Sequence, residues 1–331
     1  MLTRPIHLLN ASLLAAACAF SAPATAQKNM SPSAATWPTK PIKILVGFPG
    51  GTTPDMAART LAEPLSKALG QPVIIENRPG ASGNIAADLV AKATDDHTLG
   101  VVINGNLTSA KMLYSKLPYD PAQDFAYISL LTTAPLVLVT TPDQPSGEAF
   151  FAAARNGGDK WNYGTPGNGT VGHLGMEYLK SKVGSMTAVH VPYQGNPQVV
   201  TAMLGGQVQM SLMPPGVAMP QVRAGKLKAI GVTSGRSALV PELPSLAEAG
   251  LREFNLEVWT ALVGPANLSA AAQARLAKEV SKAIRDNDTR QKLFTQGWQA
   301  VGTSAEGLKS RVKSEASIMG DIIAIRGIKI E

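Results

Sequence analysis

Two stretches of this chain combine glycine with small hydroxyl residues in a way that can hold an anion. Phe48-Pro49-Gly50-Gly51-Thr52-Thr53-Pro54-Asp55 and Thr165-Pro166-Gly167-Asn168-Gly169-Thr170 each follow a short apolar run and precede a helical pattern. A third glycine turn covers Ser82, Gly83 and Asn84. The opening turn of a helix leaves backbone N–H groups without partners and carries the positive end of the helix dipole. Such a loop binds an anion without a basic side chain. No Arg or Lys stands between Phe48 and Asp55 or between Gly164 and His173. The residues alone also permit a second reading, in which these glycines only close tight turns.

Phosphate motifs fit poorly. A Walker loop needs Gly-Lys-Ser/Thr, and Thr52-Thr53-Pro54 brings no lysine. The dinucleotide fingerprint is met only loosely, by Gly167, Gly169 and Gly172. A carboxylate is the more economical anion. Enzyme chemistry has little to work with, because neither Gly-x-Ser-x-Gly nor His-Glu-x-x-His occurs. The single cysteine, Cys18, excludes a disulfide framework, and four histidines (7, 97, 173 and 190) leave little room for a metal centre. No cofactor and no metal are expected. His173 falls three residues inside the helix begun at Thr170, where the dipole favours a neutral ring and a supporting role. His190 alternates with apolar neighbours and reads as structural. Asp55 reads first as a helix-start residue; its carboxylate as a direct ligand would suit a cation better than an anion.

The elements that must position these loops follow from periodicity. Residues 43–48 form an apolar run, read as a buried strand. Thr53 is expected to cap the next helix, with Pro54 in its first position and Ala57, Leu61, Leu65 and Leu69 on one face up to Gly70. Strand 73–75, helix 85–93 and strand 99–104 follow. The plan restarts with strand 161–164 and a helix capped by Thr170. After it come strand 188–191, helix 198–204 with a Gly205-Gly206 stop, strand 208–213, helix 217–224 and strand 227–233. Runs 135–140 and 256–260 read as extended crossings between lobes, and helices are expected at 270–285, 289–296 and 305–318. Alternating strand and helix predicts an α/β fold with largely parallel sheets. It places lobe one at 37–138 and 256–331, lobe two at 139–255, and a cleft between them.

At 331 residues the chain is long enough for about two domains. Apolar residues at 45% and charged residues at 16% are a globular composition. Aromatics at 5% exclude bulk stacking on nucleic acid, and the +7 net charge is spread over helices without a like-charge block. Nucleic acid is therefore not an expected partner. Residues 1–26 read as a secretion signal: Arg4, an apolar stretch from Leu8 to Phe20 too short to span a bilayer, then Ala24-Thr25-Ala26 as the cleavage site. Residues 27–36 read as a polar tether. Removal of the signal leaves a net charge of +6 and no cysteine, which suits an oxidising compartment.

Trp37-Pro38, the loop from Phe48 to Asp55 with Ala58-Arg59, and Glu76-Asn77-Arg78-Pro79-Gly80-Ala81-Ser82-Gly83-Asn84-Ile85 open a long ordered set of motifs. It continues through Lys116-Leu117-Pro118-Tyr119-Asp120-Pro121, Tyr163-Gly164-Thr165-Pro166-Gly167, His190-Val191-Pro192-Tyr193-Gln194-Gly195 and Leu204-Gly205-Gly206-Gln207-Val208, and ends with Pro244-Ser245-Leu246-Ala247-Glu248-Ala249-Gly250. On these residues the chain resembles the Bug (Bordetella uptake gene) family, the solute-binding proteins of tripartite tricarboxylate transporters. The resemblance implies a type II periplasmic-binding-protein fold, two lobes closing on a small carboxylate held by backbone N–H groups and bridging waters. It implies a first-lobe grip at Phe48, Gly51, Thr52, Thr53, Asp55, Ser82, Gly83 and Asn84. The second-lobe grip would fall at Thr165, Pro166, Gly167, Gly169, Thr170, Tyr193 and Gln194. The glycine pair at 50–51 stands one position earlier than the family pattern, Gln194 replaces a common Lys, and Pro214-Pro215 stands where an Asp is frequent.

The resemblance implies delivery of the carboxylate to membrane permease subunits. A second reading is a sensing protein whose closed form engages a sensor-kinase ectodomain. A third, a secreted hydrolase, lacks a nucleophile–base pair. A dicarboxylate or aromatic acid is expected rather than an amino acid, because the strand ending at Met213-Pro214-Pro215 offers no acid to pair a buried ammonium. Met203, Met210, Met213 and Met219 are open to two readings, an adaptable apolar lining or ordinary core.

Overall fold

The computed structural model describes residues 37–330 apart from 158, 159 and 185. The expected signal with its cleavage point, the tether and Cys18 lie outside the described residues. The chain opens with β1 (Ile42–Val46), whose side chains are buried except at Lys43. It runs through the first glycine loop into α1 (Thr53–Leu69). Thr52, not Thr53, is the N-cap: it is extended (φ −75°, ψ 162°), so Pro54 takes the second helical position. Ala57, Leu61, Leu65 and Leu69 are buried, and Gly70 ends the helix in the left-handed region (φ 71°), its N–H on the Ser66 carbonyl. β2 (Val73–Asn77), α2 (Asn84–Ala91) and β3 (Thr98–Ile103) follow, and β1 pairs in parallel with both strands. Two single-turn helices, α3 (Asn104–Leu107) and α4 (Ala110–Leu113), precede the long β4 (Phe125–Pro135).

After Leu136 the chain enters β5 (Val137–Thr140) in a second sheet. There follow α5 (Glu148–Asn156), β6 (Asn162–Thr165), α6 (Val171–Val183), β7 (Val189–Pro192), α7 (Asn196–Leu204), β8 (Met210–Met213), α8 (Pro215–Arg223) and β9 (Lys228–Val232). The return is β10 (Glu257–Pro265), then α9 (Ala270–Arg285), α10 (Asn287–Thr295), the two-residue β11 (Gln299–Ala300) and α11 (Ala305–Arg326). The first sheet has the order β11-β4-β10-β3-β1-β2 and the second β7-β6-β8-β5-β9.

The expectation of largely parallel sheets is corrected: both are mixed. β10 lies between β3 and β4 and is antiparallel to each; β5 lies between β8 and β9 and is antiparallel to each. The reason is the crossing itself. A strand arriving from the other lobe enters its new sheet from the opposite end, and it settles in the middle, where both of its edges are paired.

The end of α11 corrects a second expectation. The helix continues eight residues past Ile318, and Met319 and Ile322 join the core that holds Leu174, Met176 and Leu179 of α6. Arg326 Nε donates to the Glu177 carboxylate at 3.0 Å. Residues 305–331 therefore do not belong wholly to lobe one. Met203, Met213 and Met219 sit in the core around α7 and α8, and Met210 in the core around α6. They are ordinary core.

One close approach sets the relative position of the two first-lobe loops. A Cβ on Gly47 would lie 2.4 Å from the Gly83 Cα, so the backbones after β1 and before α2 are in direct contact. Gly83 is itself left-handed (φ 91°). Gly47→Ala is expected to lower unfolding stability by about 1–3 kcal/mol in urea titrations, as overpacking does. Gly50→Ala, whose nearest neighbour would be 3.7 Å away, serves as the near-neutral control.

Candidate functional site

The first-lobe loop is held from within by Asp55. Its carboxylate is 1% exposed. It accepts from the Gly51 N–H at 2.8 Å, from Arg59 Nε at 3.0 Å and from Asn77 Nδ2 at 2.8 Å. Burial alone would raise its pKa, but the hydrogen bonds from Arg59, Gly51 and Asn77 outweigh it and hold the carboxyl below the ordinary value. Asp55 is thus a loop brace that does not line the cleft, and Gly51 donates inward to it. Asn84 is similarly engaged: its Oδ1 accepts from Tyr119 Oη at 2.7 Å and Asn106 Nδ2 at 2.8 Å. Asn106 Nδ2 also donates to the Ser82 carbonyl at 3.0 Å, which steadies Ser82 in its left-handed conformation (φ 56°).

The second-lobe loop is built around two histidines. Thr170 caps α6 by accepting from the His173 N–H at 3.4 Å, and its hydroxyl donates to the Gly167 carbonyl at 2.8 Å. The Gly169 N–H donates to His173 Nδ1 at 3.0 Å, which leaves the proton of the neutral ring on Nε2. His190 Nε2 lies 2.6 Å from Thr165 Oγ1, and the two imidazoles stack at 4.0 Å. Burial pushes His173 down to about 4 and His190, which also faces His173, down to about 3. The Gly167 N–H meets Thr165 Oγ1 at 3.3 Å. The amides of Gly167 and Gly169 are therefore engaged within the loop.

Between the lobes lies a cleft with roughly 500 Å³ of space, its mouth included. Of the expected residues, Phe48, Thr52, Thr53, Pro166 and Thr170 line it. Ser82, Asn84 and Gly169 instead border a smaller gap of about 180 Å³ with Asn168 and Tyr114, and Thr170 lines both spaces. Gly51, Asp55, Gly83, Thr165, Gly167, Tyr193 and Gln194 line neither space. Gln194 is exposed, and the contact passes to its neighbours Gly195 and Asn196.

Four helices start at this cleft: α1 at Thr52, α6 at Thr170, α7 at Gly195 and α8 at Pro214. Prolines at 54, 197, 214 and 215 remove several of the first-turn N–H groups. Thr53, Val171, Gly172 and Asn196 keep theirs, and these have no acceptor among the described residues. Among the described residues no charged side chain lines the cleft; its other walls are apolar, including Ile103, Leu136, Leu212, Val258 and Trp298. The arrangement suits one small anion with an apolar body. Sequence reasoning missed Val171 and Gly172, although a cap at Thr170 already implied free amides at the next two positions. It missed Trp298 because nothing local marks a residue that reaches the cleft from the far end of the chain.

Both rims of the cleft are in contact. On one, Ser109 Oγ donates to the Gly169 carbonyl at 2.7 Å and Tyr114 Oη to the Asn168 carbonyl at 3.3 Å. On the other, Gly216 abuts the Gln296 carbonyl so closely that a Cβ would sit 2.0 Å from it.

Two α/β lobes joined by paired crossing strands, with helix starts facing the cleft between them, define a solute-binding protein of the type II periplasmic class. Residues 57–328 match the model of the tripartite tricarboxylate transporter family receptor. The chain belongs to that family, whose members are solute-binding proteins rather than enzymes. It is 33% identical over 306 residues to a UPF0065 protein of Bordetella pertussis, covering 90% of this chain and 93% of that one. Among solved structures it is similar to R. palustris Rpa4515 with adipate, at TM-score 0.85 and 28% identity, over 88% of this chain and 99% of that one. It is also similar to MatC from Rhodopseudomonas palustris with bound malate, at TM-score 0.81 and 31% identity, over 87% and 100% of the two chains. Among the described residues no helix is long and apolar enough to cross a membrane.

The stacked histidines make stability pH-dependent. Below pH ~6.5 an unfolded histidine takes up a proton that the buried neutral pair refuses until about pH 4 and about pH 3. Unfolding then binds protons, so stability falls as pH drops from 6.5 towards 4 and the decline ends below. Thermal melts should show the midpoint dropping by roughly 5 °C or more between pH 7 and 5. His190→Gln keeps an amide nitrogen near the Nε2 position, and its melts should show a shallower decline. A variant slope equal to the native one would exclude the pair as the cause.

Proposed function

We propose that this protein captures a small carboxylate, a dicarboxylate or an aromatic acid, between its lobes and delivers it to the permease subunits of a tripartite tricarboxylate-type transporter. One observation carries the reading: four helix starts face a cleft with no charged side chain on its wall among the described residues. Helix N-termini favour an anion, and the apolar walls favour its hydrocarbon part. Adipate and malate in the two similar structures support this ligand class. The ligand's carboxylate is held by the backbone amides of Val171 and Gly172 at the start of α6 together with that of Thr53; the hydroxyls of Thr52 and Thr170 are spent on the Pro49 and Gly167 carbonyls and shape the loops instead. An ammonium group is disfavoured, since among the described residues no acid lines the cleft and the Asp55 carboxylate is engaged by Arg59, Asn77 and Gly51. Export by the N-terminal signal, with cleavage after Ala26, completes the proposal; N-terminal sequencing of periplasmic material would then start at Gln27.

Proline at the first helical position removes one N–H without opposing the helix. Thr170 already has the extended dihedrals that a following proline requires (φ −68°, ψ 158°). Val171→Pro should therefore leave the ligand-free thermal midpoint within a few degrees of native. Calorimetry with succinate-like and benzoate-like acids should show affinity reduced about tenfold or more, the loss of one charge-assisted hydrogen bond. Unchanged affinity would remove the α6 amides from the grip, and tighter binding of aspartate or glutamate would overturn the exclusion of an ammonium.

A further inference from the structure

Two residues that line the cleft each carry a buried polar side-chain atom with no hydrogen-bond partner among the described residues: Trp298 Nε1 and Asn196 Oδ1. One is a donor and the other an acceptor. They belong to opposite lobes, Asn196 opening α7 in lobe two and Trp298 lying between α10 and β11 in lobe one. Trp298 is fully buried against Ala57, Ala134 and Leu293, and its backbone N–H donates to the Leu293 carbonyl at 2.9 Å. The turn before it, Gln296-Gly297, is the segment that abuts Gly216 across the rim, with Gly297 left-handed (φ 82°). Asn196 is 7% exposed.

Building on the carboxylate reading above, we infer that the ligand carries a hydroxyl group read jointly by Trp298 and Asn196, so that hydroxycarboxylates are the preferred class. A hydroxyl is the smallest group that accepts and donates at once. It takes the indole N–H and gives its own proton to the Asn196 carbonyl oxygen. A buried donor or acceptor left unpaired is unfavourable, so a site of this kind rejects the analogue that lacks the hydroxyl more strongly than a purely apolar wall does. A second carboxylate at this point would only accept, leaving its lone pairs against those of Asn196 Oδ1. Because the two residues come from different lobes, the hydroxyl also joins the lobes.

The test is calorimetry on the full mature chain with matched pairs differing by one hydroxyl: malate and succinate, 3-hydroxybutyrate and butyrate, 4-hydroxybenzoate and benzoate. In at least one pair that binds, the hydroxylated member should bind about tenfold or more tightly. Trp298→Phe keeps the ring and removes the N–H; Asn196→Ala removes the acceptor. Each variant should bring that ratio close to one by weakening the hydroxylated member about tenfold or more, with a clearly smaller change for the unhydroxylated member. A loss of packing alone would weaken both members together, and that outcome overturns the inference. So does equal binding in every pair, or tighter binding of succinate than malate, which a turned Asn196 amide presenting two donors would produce. If no member of any pair binds, the carboxylate reading itself fails and this inference falls with it.

Discussion

A backbone N–H in the first turn of a helix has no partner of its own, and here four helix starts face one cleft. That constraint shapes the protein. Anion binding without a basic side chain works only if the amides are aimed from rigid elements and water is held back. The rigid elements are helices docked on two sheets, and water is limited by rims in contact. No Lys or Arg is among the described residues that line the cleft.

Much of the loop chemistry serves to hold the loops, not to touch a ligand. Asp55 closes the first loop with bonds from Gly51, Arg59 and Asn77. His173 and Thr165 take the amides of Gly169 and Gly167 in the second loop. Asn106 ties Ser82 and Asn84 together. Each bond removes a donor from the inventory of the cleft and fixes the direction of the donors that remain. Rigid donors need no reordering when the ligand arrives, which is the energetic use of a site made of backbone.

The tightest approaches fall at glycines. The Gly47 and Gly83 backbones meet within lobe one, Gly167 meets the Ser82 side chain across one rim, and Gly216 meets the Gln296 carbonyl across the other. A Cβ at any of the three glycines would clash with the facing atoms and force them apart. α11 adds a longer tie, with Leu308 in the lobe-one core and Met319 and Ile322 in the core around α6.

What the sequence by itself determined is the local plan. Strand, glycine loop and helix after Ile42, the α6 cap at Thr170, the stop at Gly205-Gly206 and helix Ala270–Arg285 depend on neighbouring residues, and their signals lie within a few positions of each other. The resemblance that these motifs carry extended that plan to a two-lobed solute-binding protein. Tertiary structure decided the rest. The antiparallel insertion of β10 between β3 and β4 depends on a chain returning from the other lobe, and the length of α11 depends on an apolar surface found only in lobe two. A glycine amide looks equally free in any loop; whether it is free depends on a side chain brought to it by folding, as His173 is to Gly169. Trp298 reaches the cleft from beyond the last pair of crossing strands, at a distance in sequence over which no local pattern operates.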